Sequence, residues 1–197
     1  MKNFFLIFFI LAFSATAVIA KEQPGLTVGV QAPDFEAVNY KGEEVRLSNY
    51  YQDGPVVLIF YRGGWCMYCN LQLQAFQKEL DEFKNLGVSI VALSVDRVQK
   101  AAETVAEKEL GFEVVANPEA DILEAYGLIY NVPDELAKKY KEEYNIDLEA
   151  ASGQTHHIIA IPATYVIDQN GTIVFAYANV DYKVRPEVEE ILEFLKT

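Results

Sequence analysis

The chain has two cysteines, and they stand three positions apart in Trp65-Cys66-Met67-Tyr68-Cys69-Asn70. A C-x-x-C pair can close a small disulfide and reopen it, and its reactivity depends on how readily one sulfur sheds its proton. The surrounding sequence favours that loss. Upstream, Pro55 to Tyr61 is a continuous apolar, β-branched run of the length of a strand buried on both faces. Gly63-Gly64 interrupts it, and downstream Leu73, Phe76, Leu80 and Phe83 recur at helical spacing. The dithiol therefore falls at or just before a helix N-terminus, where unpaired N–H groups and the helix dipole favour a thiolate. A structural disulfide is expected to close a longer loop than this one. A zinc site calls for four ligands, and the only imidazoles are His156 and His157, neighbours that seldom both reach one metal. The pattern points to a reversible redox centre that needs no metal and no cofactor.

The elements that would hold this centre follow from hydrophobic period and turn residues. Val28 to Ala37 reads as extended, Lys41-Gly42 as a hairpin turn, Val45 to Leu47 as the return strand, and Ser48 as the cap of a short turn. The redox helix runs to Gly87 and is followed by a buried strand, Val88 to Val95. Asp96 is the expected cap of a helix from about Val98 to Leu110, and Phe112 to Ala116 is a third strand. A helix over Glu119 to Tyr126 precedes an insertion, residues 128 to 155, whose tyrosines are expected to pack rather than catalyse. Ala163 to Asp168 and Thr172 to Tyr177 form a hairpin in which Asp168 satisfies backbone donors, and a closing helix buries Val188, Ile191, Leu192 and Leu195. Alternating strands and helices imply an α/β domain: a central mixed sheet flanked by helices, with an N-terminal β-hairpin extension and a helical insertion.

The first twenty residues are expected to lie outside that domain. Lys2 precedes the apolar run Phe4 to Phe13, and small residues then offer cleavage after Ala17 or Ala20. This is the pattern of a secretory signal peptide, too short for a durable membrane span once processed. An exported protein is expected, periplasmic or extracellular, with residues 21–197 as one domain large enough for its own core. The net charge of -13 and the absence of a basic stripe argue against nucleic acid as a partner.

With C-x-x-C opening the first core helix and Ile161-Pro162-Ala163-Thr164 just before the last hairpin, the chain resembles the thioredoxin fold. That resemblance implies a cis peptide at Pro162 and an Ile161 backbone set beside the sulfurs to pair with an extended thiol partner. Nearly all of residues 21–197 further resemble the peroxiredoxin-like branch of the alkyl hydroperoxide reductase and thiol-specific antioxidant family. The resemblance rests on Ala32-Pro33-Asp34-Phe35, on Phe60 to Asn70, on Ser94-Val95-Asp96, on Gly127 to Asp147 of the insertion region, on Pro162 to Asp168 and on Asp181-Tyr182 through Arg185-Pro186-Glu187. It implies a hydroperoxide substrate and a thioredoxin-like electron donor, and it is compatible with a homodimer.

The family pattern places the peroxide-attacking cysteine at Cys69, with Cys66 in place of the usual hydroxyl residue and Arg62 in place of a proline. The family's peroxide-polarising arginine falls at Pro162, so two activating groups are missing. Thioredoxin-like counting instead makes Cys66 the nucleophile and Cys69 the resolving thiol. Arg62, Trp65, Tyr68, Ile161 and Pro162 are the candidate pocket residues, and His156 and His157 are candidate neighbours of the dithiol. Three functions follow from these residues. A peroxidase would form a sulfenic acid and then the Cys66–Cys69 disulfide, which an external dithiol reduces. A thioredoxin-like oxidoreductase would instead reduce protein disulfides. A binding module would use the fold without turnover. The extent of the resemblance favours the peroxidase.

Overall fold

The computed structural model describes residues 23–197, so the leader expected over residues 1–20 lies outside the described residues. In chain order the elements are β1 (Glu36–Asn39), β2 (Glu44–Arg46), α1 (Leu47–Asp53), β3 (Val56–Phe60), α2 (Met67–Lys78), α3 (Leu80–Asn85), β4 (Ser89–Ser94), α4 (Val98–Lys108) and β5 (Glu113–Ala116). They continue with α5 (Asp121–Ala125), β6 (Ile129–Asn131), α6 (Asp134–Tyr144), α7 (Leu148–Ser152), β7 (Ile158–Ala160), β8 (Ala163–Ile167), β9 (Ile173–Ala178) and α8 (Val188–Leu195).

Seven strands form one mixed sheet in the order β2-β1-β5-β4-β3-β8-β9. The β3, β4 and β5 strands pair in parallel, while β1, β8 and β9 add antiparallel partners. The central strand β3 is buried along its whole length because both faces of the sheet are covered. Its side chains alternate between two cores. Val57 and Ile59 join Leu73, Phe76, Phe83 and Ile191 under α2, α3 and α8. Leu58 and Phe60 join Leu93, Leu123, Tyr126 and Tyr165 on the opposite face. Each such fully buried side chain contributes about 1.5–3 kcal/mol, which fixes the strand end from which the dithiol loop departs.

Several local expectations change in the folded chain. Only Glu36–Asn39 of the leading segment becomes a strand, although Gln31 makes an isolated bridge to Thr172. Ser48 caps nothing; its own N–H donates to Asp34 Oδ1 at 2.9 Å, so a remote carboxylate serves the start of α1. The redox helix is two helices, because Glu79 leaves helical geometry (φ −97°, ψ 10°) between α2 and α3. The insertion is not wholly helical: β6 and β7 pair in an antiparallel ribbon that closes it at its base. Asp168 does satisfy its turn, with Oδ1 accepting from the N–H groups of Asn170 and Thr172.

Candidate active site

The loop from β3 to α2 is shaped by close approach. Gly63 has φ +143°, a conformation that side-chain-bearing residues avoid, and a Cβ there would meet the Trp65 indole. A Cβ on Gly64 would run into Thr104 of α4. The Gly64 N–H donates to Asp96 Oδ2 at 2.7 Å, its carbonyl accepts from Asn70 Nδ2 at 2.8 Å, and the Cys66 N–H donates to Gly63 O at 3.0 Å. Asp96 therefore does not cap α4, whose N-cap is Arg97 without a side-chain bond. Its carboxylate turns inward to hold the dithiol loop, and burial pushes its pKa up to about 6 even though Gly64 donates to it. Its other oxygen, Oδ1, is buried without a hydrogen-bond partner among the described residues.

Both cysteines are free thiols. Cys66 is the N-cap of α2, and its sulfur accepts the Cys69 N–H at 3.4 Å. Cys69, one turn inside the helix and fully buried, accepts the Arg62 N–H at 3.4 Å. Arg185 Nη2 lies 3.7 Å from the Cys69 sulfur. Arg185 is itself positioned by a bond from its Nε to Gln72 Oε1 at 2.9 Å, and Gln72 Nε2 donates to Thr164 Oγ1 at 3.2 Å.

The electrostatics divide the pair. The Cys66 thiol is drawn down to about 6, chiefly because the Cys69 thiol donates to its sulfur, then by the Cys69 N–H and by the Arg62 and Arg185 guanidinium groups, against the cost of burial. Burial, followed by that same shared proton, drives Cys69 well above the ordinary thiol range. The two shifts run in opposite directions and favour a thiolate at Cys66 with the proton kept on Cys69.

Cys66 forms part of a cleft of about 470 Å³ whose walls include Arg62, Trp65, Tyr68, Tyr140 and Tyr182. The Arg62 guanidinium lies 4.0 Å from the Tyr182 ring centre and 5.0 Å from that of Trp65, and its Nη2 donates to the Tyr140 hydroxyl at 2.9 Å. Tyr68 meets Tyr182 edge-on at 5.7 Å. The structure therefore brings Arg62, Trp65, Cys66 and Tyr68 together, and adds Tyr140 from the insertion and Tyr182 and Arg185 from the segment before α8.

Ile161 and Pro162 lie elsewhere. With Arg62 and Tyr182 they line a neighbouring groove of about 360 Å³. The peptide before Pro162 is trans, contrary to the thioredoxin-based expectation. The Ile161 N–H donates to Leu128 O at 2.7 Å, prolonging the β6–β7 ribbon, and Pro162 O accepts from the Asn179 N–H at 3.2 Å, prolonging the β8–β9 ladder. Two ladders meeting at this point hold the chain extended, and the Ile161 amide is not free for a partner.

The histidines do not line the dithiol cleft. His156 Nε2 lies 2.8 Å from Pro118 O, and its Nδ1 accepts the Ile158 N–H at 2.9 Å. His157 is placed between Asp134 and Glu149, 3.2 Å from each. Among the described residues no cluster of three or more His, Cys, Asp or Glu could hold a metal ion.

The AhpC/TSA family model matches residues 28–176. Thiol-disulfide oxidoreductase ResA of Geobacillus kaustophilus is 26% identical over 176 residues, covering 89% of this chain and 82% of the relative. Peroxiredoxin Bcp of Escherichia coli is 25% identical over 134 residues, covering 68% and 85%. Among solved structures, the peroxidoxin BcpB of Mycobacterium tuberculosis superposes with a TM-score of 0.67 at 20% identity, over 88% of this chain and 96% of that one. The architecture is thus the thioredoxin-like fold of peroxiredoxins.

Proposed function

The chain belongs to the AhpC/TSA family of peroxiredoxins and thiol-disulfide oxidoreductases, and on that premise we propose that it is a thiol peroxidase in which Cys66 is the nucleophile and Cys69 the resolving thiol. The observation that carries this reading is access. Cys66 is only 3% exposed in its aromatic-walled cleft, and the Ile161 amide that would pair with a polypeptide substrate is bonded within the chain. A small oxidant reaches such a sulfur more readily than a protein disulfide does.

In this mechanism the Cys66 thiolate attacks one oxygen of the hydroperoxide. The S–O bond forms as the O–O bond breaks, and the departing alkoxide or hydroxide takes a proton from water in the cleft. Cys69 then attacks the Cys66 sulfenic acid, closing the disulfide and releasing water. The Arg185 guanidinium beside the Cys69 sulfur favours the thiolate that this second step requires. An external dithiol, in the manner of thioredoxin, supplies two electrons and two protons to restore the pair. The N-terminal apolar run supports placing this chemistry outside the cytosol.

Stopped-flow oxidation of the reduced protein by hydrogen peroxide and cumene hydroperoxide, with Cys66→Ser and Cys69→Ser alongside, tests the proposal. A dimedone-trapped sulfenic acid is expected in Cys69→Ser and not in Cys66→Ser. Oxidation no faster than that of a free thiol, with rapid exchange against a protein disulfide, would sink it.

A further inference from the structure

The dithiol cleft has a charge balance opposite to that of the molecule. The chain carries 29 Asp and Glu against 16 Lys and Arg, yet no carboxylate is among the residues lining this cleft, whereas Arg62 and Lys139 both are. Lys139 reaches out to Glu143 at 3.7 Å on the surface of α6. Arg62 has no such partner. It is 6% exposed, no carboxylate among the described residues lies within ion-pairing distance, and its guanidinium makes a single hydrogen bond, to the Tyr140 hydroxyl. A guanidinium offers five N–H donors, and a buried cation is seldom left without a counter-charge.

The Cys66 thiolate does not balance the account. Two guanidinium groups face the pair, and Arg185 already lies against the Cys69 sulfur. One positive charge is left over, at the junction of the dithiol cleft and the neighbouring groove, since Arg62 lines both. Aromatic rings lie over the guanidinium, so its N–H edge is what remains for a ligand. The rest of the cleft is walled mainly by aromatic and aliphatic side chains, and of these Met67 (65%) and Tyr144 (57%) are exposed.

Building on the peroxidase reading, we propose that Arg62 is an anion-recognition residue that selects hydroperoxides carrying a carboxylate on an apolar body. The carboxylate pairs with the Arg62 N–H edge, the hydrocarbon lies against Met67, Tyr68 and Tyr144, and the peroxide group is delivered to the Cys66 sulfur. Recognition by Arg62 is a binding step and leaves the two-electron chemistry at sulfur unchanged.

The test compares linoleic acid hydroperoxide with its methyl ester, both kept monomeric in solution, as oxidants of the reduced full-length protein. The acid is expected to react about ten- to a hundredfold faster than the ester. That ratio is expected to fall toward one in Arg62→Met and to survive in part in Arg62→Lys, which keeps the charge. Equal rates for acid and ester in the unsubstituted protein would overturn the proposal while leaving the peroxidase in place. A second readout does not depend on peroxide: linoleate, and not methyl linoleate, is expected to protect Cys66 from alkylation by iodoacetamide. Protection by linoleate alone, with every hydroperoxide unreactive, would remove the peroxidase and retain the anion site. Protection by both compounds or by neither would refute recognition of the carboxylate.

Discussion

The acidity of Cys66 is the quantity on which the chemistry depends, and it can be perturbed one donor at a time. With a pKa of about 6 in place of the ordinary 9.0, the thiolate fraction at pH 7 rises from about 1% to about 90%. Its largest source is the Cys69 thiol, which donates to the Cys66 sulfur. Cys69→Ala removes that donor and leaves the helix N–H and two guanidinium groups to oppose burial. The Cys66 pKa is then expected to climb by on the order of one to two units, cutting the thiolate at pH 7 to between about half and a tenth. Cys69→Ser keeps a donor at the same position and is expected to shift the pKa less. The assay is the pH dependence of iodoacetamide alkylation, with Cys66→Ser reporting the low reactivity of buried Cys69. A midpoint near 9 in the unsubstituted protein, or one that Cys69→Ala does not move, would refute the shared-proton account.

Three further outcomes follow from the loop and its supports. Asp96, raised by burial from 3.8 to about 6, binds its proton more tightly folded than unfolded, so its contribution to stability falls as pH rises from about 4 to 6 and is flat above. Urea unfolding at pH 5 and pH 8 is expected to show the unsubstituted protein losing about 1.4 kcal/mol relative to Asp96→Asn between the two; an unchanged gap would mean that Asp96 does not titrate in this range. Gly64→Ala drives a methyl group into Thr104 and is expected to cost about 1–3 kcal/mol, with Thr104→Ala restoring part of it in the double variant. Full stability in Gly64→Ala alone would show that α4 yields easily. Arg185→Met is expected to slow closure of the disulfide from the Cys66 sulfenic acid about tenfold, measured by the lifetime of the dimedone-reactive species; an unaltered lifetime would remove Arg185 from that step.

What the sequence made legible was local. The buried run Pro55 to Tyr61, the Gly63-Gly64 break and the apolar spacing from Leu73 place a dithiol at a helix start from neighbouring residues alone, and Cys66 does cap α2. What it concealed arrives from afar. Arg185 is separated from Cys69 by 116 positions and Tyr140 from Arg62 by 78, and no pattern of spacing announces either meeting. The one signal for Arg185 was its membership in the family-like segment Asp181 to Glu187, which assigned it no role. That segment does bring a guanidinium to the dithiol, but it lies against the Cys69 sulfur. Asp96 misled for a different reason: an aspartate before a helix is locally a good cap, and the tertiary demand of Gly64 outcompeted that preference. Pro162 was misjudged because its surroundings were inferred from resemblance, whereas two ladders decide its geometry.

The walls of the cleft come from three separated stretches: the loop after β3, helix α6, and the segment holding Tyr182 and Arg185. During synthesis the cysteines therefore emerge long before the residues that will surround them. The groups that make Cys66 acidic lie mostly in its own loop and helix start, but the cleft that governs access to it is complete only when the last part of the protein folds back. Reactivity and selectivity thus have different origins along the chain: the first is local to the dithiol loop, the second waits for Tyr140, Tyr144 and Tyr182.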